Sequence, residues 1–351
     1  MSRLSQPELQ FALDAVRRAG LLAQQIQGEM VVEGVAKGDM SPVTVADYAI
    51  QALVGRALAE RFPDDVLVAE ESAEELRAEA GTPMRALVYS YVERATGACT
   101  EAEVYDWIDR GAAAPAERFW TLDPVDGTKG YLRGEQYAVA LALIENGQVK
   151  LGVLGCPNLG GDFNGERIGS GVLSAAVRGE GAWVAVPEET ILSPHMPPMQ
   201  PGGPVGAAEP LQFSQLRVSP SSDAHQARIL RSVEAAHTNV DEVDQIAHLL
   251  GVQAPPVRMD SQAKYAVLAA GAGEMLFRLL SPKKPDYKER IWDQAAGSII
   301  LEEAGGRITD LCGNALDFSQ GQTLKRNTGV FASNGTLHDA GLQAIRQVCK
   351  I

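Results

Sequence analysis

The chain has 351 residues, of which 45% are hydrophobic and 22% are charged. This composition is typical of a globular protein of about two domains, and it excludes a disordered, a collagen-like or a disulfide-rich miniature protein. The 31 Lys and Arg residues against 45 Asp and Glu residues give a net charge of −14. That charge argues against a nucleic-acid partner, because sequence-independent binding to phosphates needs a basic surface.

The sequence also lacks the features of a membrane or secreted protein. Its longest apolar stretch, residues 137–144, is far shorter than the ~20 residues of a membrane helix. The N-terminal residues have no apolar core of a signal peptide. The four cysteines are widely spaced, so that free thiols are the simpler interpretation. We therefore expect a cytoplasmic protein with no membrane segment.

The first residues of the chain predict helices. Apolar residues at helical spacing predict one helix ending near residue 27 and a second that starts near residue 46 and is ended by Pro63. Residues 66–69 then predict a short buried strand. Residues 74–117 are rich in helix formers and contain turn residues, which indicates one or more outer helices.

Strands follow, and a change of composition then marks a domain boundary. The strands are predicted at residues 119–122, 138–144 and 149–156. Asn146-Gly147 between the last two is typical of a hairpin turn. Because residues 157–171 are rich in Gly, Asn and Asp, we expect one domain over residues 1–157 and a second over 158–351.

The second half mixes helices and strands. Residues 187–210 carry seven of the nineteen prolines and predict a surface loop. The other predicted elements are strands at 212–218 and 274–279 and helices at 240–250, 262–271 and 293–304. Mixed elements in both halves favour a layered α/β or α+β enzyme.

The most informative motif is Asp-Pro-Val-Asp-Gly-Thr at residues 123–128, directly after a predicted strand. Its proline and glycine shape a turn that can aim the carboxylates of Asp123 and Asp126 at one point and expose the carbonyl of Val125. Such oxygen ligands suit Mg²⁺. Thr128 adds a hydroxyl where a phosphate can sit. An isolated Asp-Pro-x-Asp is more often a self-capping turn, but the full string is much more specific.

Four motifs in order carry a resemblance to a known family. They are Ser-Pro-Val-Thr-Val-Ala-Asp-Tyr at 41–48, Ala-Glu-Glu-Ser at 69–72, the aspartate turn at 123–128 and Trp-Asp-Gln-Ala-Ala-Gly at 292–297. Over nearly its whole length the chain resembles the Mg²⁺-dependent, lithium-sensitive phosphomonoesterases of the inositol monophosphatase superfamily, and within it the 3′(2′),5′-bisphosphate nucleotidases. The resemblance implies the layered αβαβα sugar-phosphatase fold, with two tightly packed domains and the active site between them.

The same resemblance implies catalytic and metal-binding roles. The implied ligands of two or three Mg²⁺ ions are Glu70, Asp123, the Val125 carbonyl, Asp126 and Asp293. Asp47 would pair with the hydroxyl of Thr128, and together they would orient and deprotonate the attacking water. Taken singly, Asp47 is more often a carboxylate in the first turn of a helix, and Asp293 is a good helix N-cap.

The resemblance also implies a set of substrate contacts. They are Gly127, Thr128, His237, Ser261, Lys264, Arg278 and Asp293. A hydroxyl, a point cation and a bidentate guanidinium at Ser261, Lys264 and Arg278 are suitable partners for phosphate. The plainer alternatives are a surface lysine at position 264 and a loop histidine at position 237.

The sequence therefore predicts a monomeric Mg²⁺-dependent phosphatase of sulfur metabolism that acts on a small phosphorylated nucleotide. Its substrate would be adenosine 3′,5′-bisphosphate, and also 3′-phosphoadenylyl sulfate, and lithium would inhibit it. The alternatives are an inositol polyphosphate 1-phosphatase or fructose bisphosphatase on the same scaffold, and an inactive nucleotide or metal sensor. Two departures from the nucleotidase pattern bear on substrate preference: Gln294 stands where histidine is usual, and the loop 187–210 is long.

Overall fold

A computed structural model describes residues 6–32, 42–78, 83–165, 168–186, 211–233 and 239–350. The predictions for His237 and for the proline-rich loop 187–210 lie outside these residues. Within the described ranges the chain forms ten α-helices, one 3₁₀ helix at Ala224–Gln226 and twelve strands.

The helices differ widely in length. They are α1 (Pro7–Val32), α2 (Pro42–Arg61), α3 (Glu74–Ala78), α4 (Pro83–Thr96), α5 (Glu101–Asp109), α6 (Thr128–Arg133), α7 (Val240–Leu249), α8 (Ala263–Ala269), α9 (Ala295–Glu303) and α10 (His338–Cys349).

The strands fall into two sheets. Those of the first are β1 (Val66–Ala69), β2 (Arg118–Asp126), β3 (Ala138–Glu145), β4 (Gln148–Cys156), β5 (Val172–Val177), β6 (Gly181–Ala185) and β7 (Phe213–Gln215). Those of the second are β8 (Ile229–Arg231), β9 (Val257–Arg258), β10 (Met275–Arg278), β11 (Arg307–Thr309) and β12 (Val330–Ser333).

The first sheet follows chain order from β1 to β7. Strand β1 runs parallel to β2, and every later neighbour is antiparallel. The predicted hairpin between β3 and β4 is confirmed, since Asn146 and Gly147 have φ angles of 52° and 71°. Positive φ at both central residues is what a type I′ turn requires.

The two sheets and the helices stack in five layers. Helices α1, α2, α4 and α5 form a core with one face of the first sheet. The other face packs on α8 and α9, which also contact one face of the second sheet. Helices α7 and α10 cover the outer face of the second sheet. The αβαβα layering is thus confirmed, and because the first sheet is covered on both sides, β3 is buried along almost its whole length.

The second sheet has the order β11-β12-β10-β8-β9. Strand β10 lies at its centre, parallel to β8 and antiparallel to β12. The central position brings the end of β10, at Arg278, close to the segment that precedes α9.

Several predicted boundaries shift in the structure. Helix α2 begins at Pro42, a full turn before residue 46, because proline is well tolerated in the first helical turn. Asp47 therefore lies inside the helix and not at its start. Helix α9 begins at Ala295 and its N-cap is Gln294, so the alternative reading of Asp293 as the N-cap is wrong. Strand β2 continues through Asp126.

The division into domains 1–157 and 158–351 stays a prediction. Strand pairing links the two sides of that boundary, because β4 is hydrogen-bonded to β5 along six residue pairs. All four cysteines have free thiols, as the sequence predicted.

Candidate active site

The first sheet places two acidic residues side by side. Strands β1 and β2 are parallel and pair Ala69 with Leu122, so that Glu70 and Asp123 are the next residues on neighbouring strands. Carboxyl ends of parallel strands commonly present functional groups. The sheet itself therefore brings together two of the predicted metal ligands.

The aspartate turn contains a bulge. On β2, Asp123 is opposite Ala140 and Asp126 is opposite Ala138, which leaves one extra residue on the β2 side. Bulges of this kind re-aim side chains next to functional sites. The pairing with β3 thus resumes at Asp126. Val125, whose backbone carbonyl is a predicted metal ligand, lies buried within the bulge.

Gly127 ends the turn and brings the two halves of the site into contact. Its φ of 91° is left-handed, which favours glycine. A Cβ atom at this position would lie 2.8 Å from the Cβ of Ser261, so only glycine allows this approach. Ser261 itself has a φ of 70°, and its hydroxyl accepts a hydrogen bond from the amide of Ala263 at 3.1 Å.

Carboxylates surround Asp123. Burial raises the pKa of Asp123 well above its usual value, and four neighbouring carboxylates raise it further. These neighbours are Glu70, Asp126, Asp293 and Asp47. Burial likewise raises the pKa of Asp293, although Arg278 opposes that rise. The carboxylates among the predicted metal ligands are therefore close enough to repel one another electrostatically.

These residues fit a divalent cation. Asp123 Oδ1 is buried and has no hydrogen-bond partner within the described ranges. A buried unpaired carboxylate oxygen is costly, and a hard cation is the natural partner for several such oxygens. In the part of the chain that the structure describes, no three Asp, Glu, His or Cys side chains converge closely enough to form a complete cage. The site is a set of carboxylates that face one another around Asp123.

Asp47 and Thr128 come from two helices in contact, α2 and α6. Asp47 is half-buried, and burial together with the charges of Glu71 and Glu70 raises its pKa well above the usual value. Thr128 is the exposed first residue of α6. Among the residues described, no hydrogen bond joins Asp47 to Thr128, so their predicted pairing stays a prediction.

Lys264 lies on α8 and is buried, so the alternative of a surface lysine is wrong. Its Nζ donates to Ser232 Oγ at 3.4 Å and to the carbonyl of Met259 at 3.3 Å. Burial, and after it the nearby guanidinium of Arg278, lower the pKa of Lys264 to about 8, although Asp126 opposes the change. Two cations therefore lie close together beside the carboxylates.

Arg278 is held by a residue that the sequence did not single out. Its Nη2 donates to Glu289 Oε2 at 2.7 Å and lies 3.8 Å from Asp293 Oδ2. Glu289 is buried, four residues before Asp293, in a segment without helical or strand periodicity. Because the sequence around Glu289 shows no periodicity, its pairing with Arg278 is visible only in the structure.

Gln262 and Gln294 are further buried residues of the site that the sequence left without a role. The amide of Gln262 donates to Asp126 Oδ2 at 2.6 Å, which fixes that carboxylate against the N-terminal end of α8. Gln294 Nε2 donates to Glu289 Oε2 at 2.9 Å. The motif carrying Asp293 thus also carries its own hydrogen-bonded support.

A comparison with known sequences settles the family. The sequence model described as "Inositol monophosphatase family" matches residues 5–350. The chain belongs to the inositol monophosphatase family. Dependence on divalent metal is typical of this family, in agreement with the oxygen-rich site around Asp123.

Curated members of the inositol monophosphatase family resemble the chain over nearly its full length. The protein from Emericella nidulans is 39% identical, over 96% of this chain and 97% of its own length. That from Schizosaccharomyces pombe is 38% identical, over 97% and 95%. That from Oryza sativa is 41% identical, over 98% and 94%. Each is named 3′(2′),5′-bisphosphate nucleotidase.

Solved structures of the family share the fold. An IMPase from Thermotoga maritima superimposes with a TM-score of 0.61 at 20% identity, over 98% of this chain and 99% of its own. An inositol monophosphatase from Anabaena gives a TM-score of 0.57 at 20% identity, over 97% and 96%. No helix in the described ranges has the length and apolar character needed to span a membrane.

Proposed function

We propose that this chain is a Mg²⁺-dependent phosphatase that removes the 3′-phosphate of adenosine 3′,5′-bisphosphate to give AMP and phosphate. It would act on 3′-phosphoadenylyl sulfate in the same way, as a monomer in the cytoplasm. The observation that carries this proposal is a buried, unpaired carboxylate oxygen on Asp123, whose neighbour Asp126 lies beside two cations, the buried Lys264 and the half-buried Arg278. The names of the relatives in Emericella nidulans, Schizosaccharomyces pombe and Oryza sativa support the same substrate.

Two or three Mg²⁺ ions would be held by residues from both sides of the site. These ligands are Glu70, Asp123, the Val125 carbonyl, Asp126 and Asp293. When bound, the ions supply positive charge that offsets the carboxylates and stabilises the oxygens of the transferred phosphoryl group. We place this site between the two predicted domains, where Asp293 faces the aspartate turn.

Asp47 and Thr128 would manage the attacking water. The Thr128 hydroxyl orients Asp47, and Asp47 accepts the proton of the water as its oxygen bonds to phosphorus. The bond from phosphorus to the 3′ oxygen then breaks, and the leaving oxygen takes up a proton from a solvent water. Contact between α2 and α6, the two helices that carry these residues, supports this pairing.

Ser261, Lys264 and Arg278 would bind the phosphate that is not transferred. The transferred phosphate has the metal ions as its counter-charge, whereas a second phosphate needs cations of the protein itself. Lys264 and Arg278 are close enough for Arg278 to lower the pKa of Lys264. Two cations side by side repel each other, and an anion between them removes that cost. His237 and Gly127 would complete the substrate contacts.

Phosphate release by the purified protein tests the proposal. The substrates would be adenosine 3′,5′-bisphosphate, 3′-phosphoadenylyl sulfate, inositol 1,4-bisphosphate, inositol 1-phosphate and fructose 1,6-bisphosphate, each with Mg²⁺ and with or without lithium. We expect a clear preference for the two nucleotides and its loss in lithium. Release from the inositol or fructose esters alone would support the metal-dependent mechanism but contradict the nucleotide substrate, in favour of an inositol or sugar phosphate. No release from any ester would favour an inactive sensor.

A further inference from the structure

A chain of buried hydrogen bonds runs from α8 to Arg278. The hydroxyl of Tyr265 donates to Gln294 Oε1 at 2.5 Å, and Gln294 Nε2 donates to Glu289 Oε2 at 2.9 Å. The same Glu289 oxygen accepts from Arg278 Nη2 at 2.7 Å. Each step therefore orients the next one, and the last step ends on the guanidinium proposed to bind phosphate.

The far end of this chain is fixed by close packing. A Cβ atom on Gly297 would lie 2.1 Å from Cδ2 of the Tyr265 ring, so the ring rests directly on the backbone of α9. Gln294 is fully buried and has no freedom to swing into solvent. The direction of its amide is thus set by Tyr265 on one side and by Glu289 on the other.

Glu289 engages only part of Arg278. The bond to Glu289 uses Nη2, and Arg278 Nε is buried without a hydrogen-bond partner among the described residues. The side chain of Arg278 is one-fifth exposed, whereas that of Glu289 is almost fully buried. Because Nε is enclosed and Nη2 is held by Glu289, the exposed part of the guanidinium keeps its remaining N–H donors for a ligand, which suits phosphate recognition.

We propose that Glu289 is a positioning residue that holds Arg278 ready for the second phosphate of the substrate, and that Gln294 and Tyr265 hold Glu289 in turn. This inference rests on the proposed function. It explains Gln294, the departure from the nucleotidase pattern: a neutral amide can accept from Tyr265 and donate to Glu289 at once, and it does not itself titrate. The network makes selectivity for bisphosphates depend on residues that touch no substrate.

The test compares two substrates that share the transferred group. Adenosine 3′,5′-bisphosphate carries the second phosphate, and adenosine 3′-monophosphate lacks it. For Glu289→Gln we expect KM for the bisphosphate to rise about tenfold with little change in kcat, and kinetics on the monophosphate to stay near those of the wild type. Glu289→Ala should show the same selective loss more strongly, because it leaves no oxygen for Arg278.

Two variants extend the test along the chain. Gln294→Met keeps the side-chain length but cuts the link to Glu289, and Tyr265→Phe removes only the hydroxyl. The selective loss should decrease in the order Glu289, Gln294, Tyr265, because each change is one bond further from Arg278. The matched control is Glu302→Gln, which breaks another Arg–Glu pair of 2.6 Å, with Arg178, on α9. It should behave as the wild type on both substrates.

The outcomes separate the two proposals. A wild-type enzyme that releases no phosphate from the bisphosphate would contradict the proposed function and, with it, this inference. An active wild type whose Glu289 variants lose activity equally on both substrates would overturn the positioning role alone. Thermal melting of each variant identifies a folding defect. If Glu289→Gln does not fold, the selectivity of Gln294→Met and Tyr265→Phe decides the question, and unchanged selectivity in both would overturn the inference.

Discussion

The two sides of the site treat buried charge in opposite ways. On the side built by β1, β2 and α2, carboxylates face carboxylates, and Asp123 keeps a buried oxygen that has no partner among the described residues. On the side built by α8 and β10, Lys264 donates to a hydroxyl and a carbonyl, and Arg278 is paired with Glu289. The first arrangement needs metal counterions to be stable, whereas each cation of the second already has partners in the protein. The same perturbation should therefore affect the two sides differently.

The largest effect is expected at Asp123, at the centre of the side built by β1, β2 and α2, which we call the acidic side. Asp123→Ala removes the carboxylate that four others face, and we expect phosphate release to fall by about a thousandfold or more, because metal-dependent charge stabilisation is lost. The measurement is phosphate release from adenosine 3′,5′-bisphosphate at saturating Mg²⁺. Asp339→Ala, which removes an exposed carboxylate on α10 paired with Arg307, serves as the control and should leave the rate unchanged. Near-normal turnover by the Asp123 variant would contradict the proposed role of Asp123 as a metal ligand.

On the side built by α8 and β10, a substitution that disturbs packing should lower stability whether or not metal is present. In Gly297→Ala, the new methyl group would meet the Tyr265 ring at 2.1 Å, and we expect the free energy of unfolding to fall by about 3 kcal/mol. Gly28→Ala is the matched control, since it also lies in a helix, α1, but nothing stands within 4 Å of the added Cβ. That variant should be more stable by about 0.5–1 kcal/mol. Urea unfolding of both proteins, with and without a chelator, gives the comparison.

The acidic side should depend on metal for stability as well as for activity. In excess chelator, Asp123→Asn should be more stable than the wild type by about 1–2 kcal/mol, because it removes one of several buried carboxylates that repel one another. In saturating Mg²⁺ the order should reverse, since the variant binds the ions less tightly. Thermal melting under both conditions measures the crossover. The same order under both conditions would show that the carboxylates are not a metal site.

The smallest expected effect is a pH dependence of activity that arises from Lys264, on the side built by α8 and β10. Because the pKa of Lys264 is lowered to about 8, the lysine loses its charge above that pH, and kcat/KM for the bisphosphate should fall by several-fold between pH 7.5 and 9. Lys264→Met should be less active and should lack this fall. Stability should change in the opposite direction: the unfolded lysine binds the proton more tightly, so the free energy of unfolding rises with pH above 8. Parallel profiles of the two proteins would rule out Lys264 as the titrating group.

Much of the fold can be predicted from the sequence where local signals are strong. The strand at Val66–Ala69 and the hairpin at Asn146-Gly147 are two such elements, because a buried apolar run and a type I′ turn are local properties. Strands β5 and β6 escape prediction, since both are short and contain Ala, Ser and Gly, with little polar alternation. Their strand conformation depends on pairing, of β5 with β4 and of β6 with β5.

The candidate site likewise contains residues that the sequence predicts and residues that it does not. The family resemblance carried by the four motifs is what groups Glu70, Asp123 and Asp293 as predicted acidic residues of one site. The pairing of Arg278 with Glu289 has no such signal, because it joins a strand end to an irregular segment across the second sheet. Burial of Lys264 is equally hidden, since a lysine in a short helix is usually exposed.

The position of α9 between the two sheets has a consequence for biosynthesis. Strands β1 to β7 pair in chain order, and each neighbour from β2 onward is antiparallel, so the first sheet can form strand by strand while the chain leaves the ribosome. Its inner face stays uncovered until α8 and α9 emerge, and the second sheet needs β12, near the end of the chain, beside its central strand. Asp293 precedes α9 directly, so the last acidic residue of the site arrives with the helix that closes the core. A nascent chain therefore cannot assemble the complete acidic site before its fold is nearly finished.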